Sequence, residues 1–336
     1  MQSILQKTTG IGPTPVHPED LRGRVAVVTG GAFGIGFEIS RSLASAGCRV
    51  IMVNRKEEQG DEAQQTIRAE TPEANVEWVH CDLGNLSEVR SVFTGLRERL
   101  DRLDFLVLSA GINTNQYGVD ADGIDRHFGV NYLGQYYVCN QLWPLLRKTP
   151  GLGDGKPPAP RVVFLASEMH RAAPSNVRFE GLDEINNPNL GPTELYGRTK
   201  LAMILLAKYG LADKVIKTNS DRVYAVSVHP GAVNTAMQQQ WKDAYPGITG
   251  KMLTWAMLAF GRDPEQGSYS ALWALTSPKI EDENLNGYYF SDPDTPGKET
   301  AQASDPALGD ALWKLSERLV KDKLGEDALL DWNAAA

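Results

Sequence analysis

The chain has 336 residues, 42% hydrophobic and 23% charged, the proportions of a globular protein able to bury a full core as one large α/β domain or two small ones. A formal charge of −8 with no long basic run excludes the footprint of a nucleic-acid-binding protein. Three widely spaced cysteines, Cys48, Cys81 and Cys139, fit reduced thiols in the cytoplasm and not a disulfide framework.

Residues 1–22 carry Pro13, Pro15 and Pro18 and lack the apolar stretch of roughly 7–15 residues that a secretory signal needs. They read as an irregular arm, with a single domain expected over 23–336. From residue 24 short apolar runs alternate with helical periods. "RVAVVTG" (24–30) reads as a strand buried on both faces. A helix follows, with Ile35, Ile39 and Leu43 at helical spacing and Gly47 as its stop. "RVIMVN" (49–54) is a second strand, "EEQGDEAQQTIRAE" a polar helix and "VEWVHCD" (76–82) a third strand. His80 beside Cys81 has no second pair at ligand spacing, so no metal site is expected.

Leu86, Val89, Val92, Phe93, Leu96 and Leu100 then form one helical face. "LDFLVLSAG" (103–111) is a fourth strand, and the long helix after it is expected to break near Asn131. "RVVFLAS" (161–167) is a fifth strand and "RVYAVSVHPG" (222–231) a sixth. A helix through Tyr196 is expected to start at a Thr193 N-cap and end near Leu211. Two stretches interrupt the rhythm: the Gly/Pro-rich loop 148–160, and the segment between Ser167 and Tyr196, which contains Pro174, Pro188 and Pro192. The alternation predicts an α/β fold: a Rossmann-type, doubly wound parallel sheet with helices on both faces. "LAMILLA" and "WAMLAF" fall far short of the roughly 18 residues that span a bilayer, so no integral membrane segment is expected.

The first strand runs into Gly30, Gly34 and Gly36, which open the first helix. Glycines there let the backbone approach a pyrophosphate, and the helix N-terminus supplies free N–H groups. The second strand ends in Asn54, Arg55 and Lys56, with no carboxylate before Glu57. A carboxylate at that point favours a ribose diol; a guanidinium favours a 2′-phosphate. NADP(H) is therefore expected over NAD(H).

The spacing Thr-Gly-x-x-x-Gly-x-Gly resembles the short-chain dehydrogenase/reductase family, and the likeness spans about residues 22–291. "HCDL" (80–83), "LSAGIN" (108–113), "VNYLG" (130–134), "LAS" (165–167), "YGRTK" (196–200) and "HPGAVNT" (229–235) follow in family order. Ser109 stands where the family usually has asparagine, so that residue's hydrogen bonds must be weaker or rerouted. The resemblance implies cofactor contacts from Gly30, Phe33, Gly34, Ile35 and Gly36. It adds Asp82 and Leu83 at the adenine, then Ser109, Ala110 and Gly111. Pro230, Gly231, Val233 and Thr235 flank the nicotinamide, and Asn131, Tyr196 and Lys200 complete the set.

By the same resemblance Tyr196 is the general acid/base, Lys200 holds the nicotinamide ribose and Ser167 bonds the substrate oxygen. Asn131 interrupts its helix and holds a proton-relay water. The chemistry agrees with the residue types. Tyrosine is a weak acid with an ordinary pKa of about 10, and an ammonium one helical turn away is expected to lower it. His170 and His229 receive no role.

The long stretch before Tyr196 is similar to that of retinol-dehydrogenase-like, WW-domain-oxidoreductase-like and carbonyl-reductase-like members. Substrate-loop insertions are expected at about 168–192 and 236–262. In the second, Trp241, Tyr245, Met252, Trp255, Met257 and Phe260 either line an apolar pocket or serve the core or an oligomer contact. The expected activity is NADPH-dependent, reversible reduction of a bulky, largely apolar ketone or aldehyde, such as an aromatic, polyketide-derived, terpenoid or steroid compound. An NAD-dependent alcohol dehydrogenase is the alternative, and a non-catalytic dinucleotide-sensing or scaffold protein a third reading. Homodimers and homotetramers are common in the family, though members with long insertions can be monomers.

Overall fold

An apolar run that is hydrophobic on both faces needs a covering layer on either side, which a parallel sheet between helices supplies. The computed structural model of the chain describes residues 12–152, 158–233 and 262–334. Its strands are β1 (Val25–Thr29), β2 (Arg49–Asn54), β3 (Val76–His80), β4 (Phe105–Leu108), β5 (Arg161–Leu165) and β6 (Tyr224–Val228). They pair in parallel in the order β3-β2-β1-β4-β5-β6. Two strands absent from the sequence reading extend this edge. β7 (Tyr289–Asp292) joins β6 in parallel, and β8 (Thr295–Pro296) returns antiparallel to it. The sheet is thus mostly, not wholly, parallel, because a short turn can bring a chain back only antiparallel.

The helices are α1 (Gly34–Ser45), α2 (Glu57–Glu70), α3 (Leu86–Arg99), α4 (Gly134–Lys148), α5 (Pro192–Leu205), α6 (Pro264–Thr276) and α7 (Pro306–Leu324). Successive strand residues point to opposite faces. Val27, Ile51 and Leu106 meet α3, α4, α5 and α7 through Phe93, Leu142, Leu201 and Leu312. Val28, Met52 and Val107 meet α1 and α6 through Ile39, Leu43, Leu272 and Leu275. Leu21, at the end of the N-terminal arm, is buried in this second layer, and its N–H donates to the Ala46 carbonyl (2.8 Å). All three cysteines are buried. Among the described residues no helix is long and apolar enough to cross a membrane.

Three local expectations change. Thr193 is not the N-cap of α5. Gly191 is, with Pro192 at the first helical position and the Glu194 carboxylate accepting the Gly191 N–H (3.0 Å). Proline suits that position because its missing N–H would be unpaired there anyway, and glutamate three residues after the cap pairs the cap N–H, the half of a capping box open to a glycine. The helix does not stop near Leu211 but continues as a π-helix over Leu206–Lys217, where Gly210 lets Trp313 of α7 approach closely. The stretch between Ser167 and Tyr196 is not one long loop. It holds a 3-10 turn (Glu168–Ala172) and a short helix (Leu182–Ile185). The Glu184 carboxylate gathers the N–H groups of Arg178, Phe179 and Glu180 at 2.8–3.1 Å.

The expected break near Asn131 is a π-helical stretch, Gly129–Leu133, between a helical turn (Arg126–Phe128) and α4. A Cβ on Gly134 would sit 2.3 Å from the Leu83 carbonyl, so α4 begins pressed against the segment that follows β3. At its far end α4 is clasped by the C-terminal segment. Tyr137 donates to the Ala328 carbonyl (2.9 Å), and Trp332 packs among Tyr136, Trp143 and Trp313.

Candidate active site

The strand order reverses between β1 and β4, and the crevice beyond the strand ends there is where doubly wound sheets bind ligands. β1 leaves the sheet at Gly30 (φ +67°), and the turn into α1 closes at Gly34 (φ +58°). A Cβ on Gly30 would lie 2.8 Å from the Ala110 Cα, and one on Gly36 would lie 2.2 Å from the Gly30 carbonyl. The turn is therefore closed by backbone against backbone. Phe33 precedes α1 without a side-chain cap, which leaves the first N–H groups of the helix unspent. That is the donor set an anionic ligand needs.

Thr29 and Gln135 hold the backbone where Ser109 stands. Thr29 Oγ1 accepts the N–H groups of Ser109 (3.1 Å) and Ala110 (3.2 Å) and donates to Gln135 Oε1 (2.9 Å). Gln135 Nε2 then donates to the Ala110 carbonyl (2.9 Å). The end of β4 is held by this buried relay.

A cleft of about 900 Å³ runs along the strand ends. It brings together Gly30, Phe33, Gly34, Ile35 and Gly36 with Arg55, Lys56, Asp82 and Leu83, and with Ser109, Ala110 and Gly111. Ser167, Tyr196, Lys200, Pro230, Gly231 and Val233 also line it. Thr235 and the residues Trp241, Tyr245, Met252, Trp255, Met257 and Phe260 lie outside the described residues. Arg55 and Lys56 are exposed; Arg55 pairs with Asp82 (3.2 Å), whose second oxygen accepts the Gly84 N–H (2.9 Å). Glycines without Cβ atoms and an uncapped helix N-terminus fit the pyrophosphate of a dinucleotide.

Ser167 ends the β5 segment and caps the following 3-10 turn. Its Oγ accepts the Met169 N–H (3.1 Å), which leaves the hydroxyl hydrogen free to donate. Its carbonyl accepts from His170 Nδ1 (2.7 Å), a wholly buried ring set edge-on to Tyr289. Tyr196 and Lys200 lie one turn apart on α5, both buried. Their electrostatics depart from the expected lowering of the tyrosine. Burial pushes the Tyr196 hydroxyl above its ordinary value and brings Lys200 down to about 7. Lys200 Nζ donates to the Leu165 carbonyl (2.6 Å) and lies 5.3 Å from the Tyr196 ring centroid. Both groups lose water, and neither has a counter-ion among the described residues.

Asn131 is wholly buried behind the cleft and does not line it. Its Oδ1 accepts the Ile112 N–H (2.7 Å), while Nδ2 donates to the Ile112 carbonyl (2.9 Å) and to Thr199 Oγ1 (3.2 Å). It joins the end of β4 to the helix that carries Tyr196. The cleft also exposes residues the sequence reading did not select: Asn54 and Gln59 near Arg55, Asn113 and Arg126 after β4, and Glu168, Met169 and His229. Adjacency was their only signal, since Glu168 and Met169 follow Ser167 and His229 precedes Pro230. Burial holds His229 down to about 4, so its ring is neutral, and Nδ1 accepts the Glu168 N–H (3.3 Å).

Comparison with known proteins accords with this geometry. The family model described as short chain dehydrogenase matches residues 24–172. A short-chain dehydrogenase/reductase of Aspergillus calidoustus, drtF, is 32% identical over 328 residues, covering 94% of this chain and 98% of that protein. A polyprenol dehydrogenase of Danio rerio is 32% identical over 311 residues, with 91% and 89% covered. Among solved structures, a short-chain dehydrogenase from Escherichia coli CFT073 complexed with NADPH superposes with a TM-score of 0.58. It is 22% identical, with 81% of this chain and 97% of that chain covered.

Proposed function

Because the chain belongs to the short-chain dehydrogenase/reductase family of oxidoreductases, we propose that it is an NADPH-dependent reductase of bulky, largely apolar ketones and aldehydes, working reversibly as an alcohol dehydrogenase. The observation that carries this reading is one cleft with the glycine turn and Arg55 toward one end and Ser167, Tyr196 and Lys200 toward the other. A relative named for a polyprenol supports an apolar substrate.

The glycine turn and α1 would hold the pyrophosphate, and Arg55 with Lys56 the 2′-phosphate. Bound there, the nicotinamide supplies or accepts a hydride. As negative charge develops on the carbonyl oxygen, Ser167 donates a hydrogen bond to it and Tyr196 gives up its proton. Burial keeps that proton on Tyr196 until the oxygen needs it. In its charged form Lys200 stabilises the resulting phenolate. In the oxidation direction Tyr196 accepts the alcohol proton. The segment 168–192 and the residues 236–262 choose the substrate.

Two measurements test this. Fluorescence titration should give tighter binding of NADPH than of NADH, and equal affinities would overturn the cofactor assignment. Tyr196→Phe should abolish turnover of an aromatic or terpenoid carbonyl while NADPH binding persists; an active variant would refute the role of Tyr196. Turnover confined to small polar sugars or hydroxy acids would count against the apolar substrate.

A further inference from the structure

The wall of the cleft after β4 is tied down by side-chain hydrogen bonds at Ile112 and at Thr114. Both backbone polar atoms of Ile112 are bonded to the Asn131 amide. Two residues on, the Thr114 N–H donates to His127 Nε2 (3.1 Å). Asn113 is fixed between these two anchors. It is 8% exposed, it lines the cleft, and its side-chain amide makes no hydrogen bond among the described residues.

Arg126 stands immediately before His127 on the same wall. Its neighbours face inward: Asp125 is wholly buried and pairs with Arg198 (3.4 Å), and His127 is wholly buried against Thr114. Arg126 alone of the three lines the cleft. It is half-buried, has no carboxylate partner among the described residues, and its Nε is buried without a hydrogen bond. Arg55, by contrast, already pairs with Asp82. A guanidinium carries five donors and no acceptor, and leaving buried donors unpaired is costly.

We infer that Arg126 and Asn113 form an oxyanion subsite, for a phosphate or a carboxylate, on the β4 wall of the cleft. Two guanidinium N–H groups suit two oxygens of one anion, and the Asn113 amide adds a donor beside them. The anion is either a phosphate group of the dinucleotide or an acid group on the carbonyl substrate. The second source builds on the reductase reading and makes its substrate amphipathic: a bulky apolar skeleton ending in an acid.

The test compares wild type, Arg126→Met, Arg126→Lys and Asn113→Ala. NADPH dissociation constants come from fluorescence, and KM values from 4-formylbenzoate and its neutral methyl ester at saturating NADPH. Arg126→Met should weaken NADPH or 4-formylbenzoate by about tenfold or more, as expected for a lost charge-assisted pair. Arg126→Lys should recover most of that loss, and Asn113→Ala should shift the same quantity in the same direction. Weaker NADPH assigns the subsite to the cofactor. A loss confined to 4-formylbenzoate, with the ester unchanged, assigns it to the substrate.

Unchanged NADPH affinity, together with no discrimination between acid and ester, overturns the subsite. Should Arg126→Met fail to fold, Asn113→Ala with a wild-type melting temperature and no change in either quantity overturns it equally. Failure of the reductase reading looks different: wild type itself would not bind NADPH, or would bind it without reducing any carbonyl. The subsite would then stand or fall on stabilisation of the wild type by inorganic phosphate, which Arg126→Lys must retain and Asn113→Ala must weaken.

Discussion

The two ends of the cleft are built by opposite means. At the glycine turn the backbone does the work: the turn closes on missing Cβ atoms, and the helix offers N–H groups. At the β5–α5 end side chains do it, and burial has moved their acidities. The first end should be intolerant of any added atom and indifferent to pH. The second should be sensitive to pH and to the charges packed behind it. A ligand of fixed charge needs only shape and donors; a proton in transit needs groups whose charge can change.

The sharpest way to break this contrast lies behind the chemical end. Arg198 sits between Tyr196 and Lys200, pairs with the buried Asp125, and donates to the carbonyls of Glu184 and Ile185. Arg198→Met takes the guanidinium from the buried Asp125 and leaves it only the Phe128 N–H (3.0 Å) and the His127 ring (3.6 Å), at an expected cost of about 3 kcal/mol in denaturant unfolding. A variant of wild-type stability would show that the helix carrying Tyr196 is not held by this pair. At the other end, Gly36→Ala puts a Cβ 2.2 Å from the Gly30 carbonyl. It should cost about 1–3 kcal/mol and abolish NADPH binding, whatever the pH of the titration.

The next effect separates the ends by pH. Lys200 is lowered to about 7 in the folded chain, against an ordinary value near 10.5. Between those values the unfolded chain binds the extra proton, so the stability contribution of this site rises with pH across the window and is lost as pH falls through about 7. The difference in melting temperature between wild type and Lys200→Met should therefore change steadily from pH 7 to pH 9. A difference independent of pH would mean that Lys200 does not titrate there. The smallest effect is expected at exposed Arg55, where Arg55→Ala should narrow the NADPH-over-NADH preference by about fivefold.

Much of the fold was legible because buried parallel strands are written as apolar runs. Val25–Thr29 and Phe105–Leu108 could hardly be anything else. The glycine turn was legible because its spacing records where a Cβ is forbidden. β7 and β8 were not, since short edge strands carry polar residues such as Ser291, Asp292 and Thr295. The cap of α5 is hard to read, although Pro192 and Glu194 both mark Gly191, because threonine is enriched at N-caps and glycine only modestly. The Thr29–Gln135 relay had no sequence signal at all, as its partners are brought together only by the fold. Tyr196 and Lys200 were visible as a pair, but their acidities were not, because burial belongs to neighbours far along the chain.

The three buried thiols have a practical consequence. Burial pushes Cys48, Cys81 and Cys139 above the ordinary thiol value, so none offers the thiolate that maleimides and peroxides attack. A labelling reagent at neutral pH should leave the native chain unmodified. One cysteine introduced on the surface would then carry a dye alone, with no native cysteine to remove first, and its signal would come from a single known position.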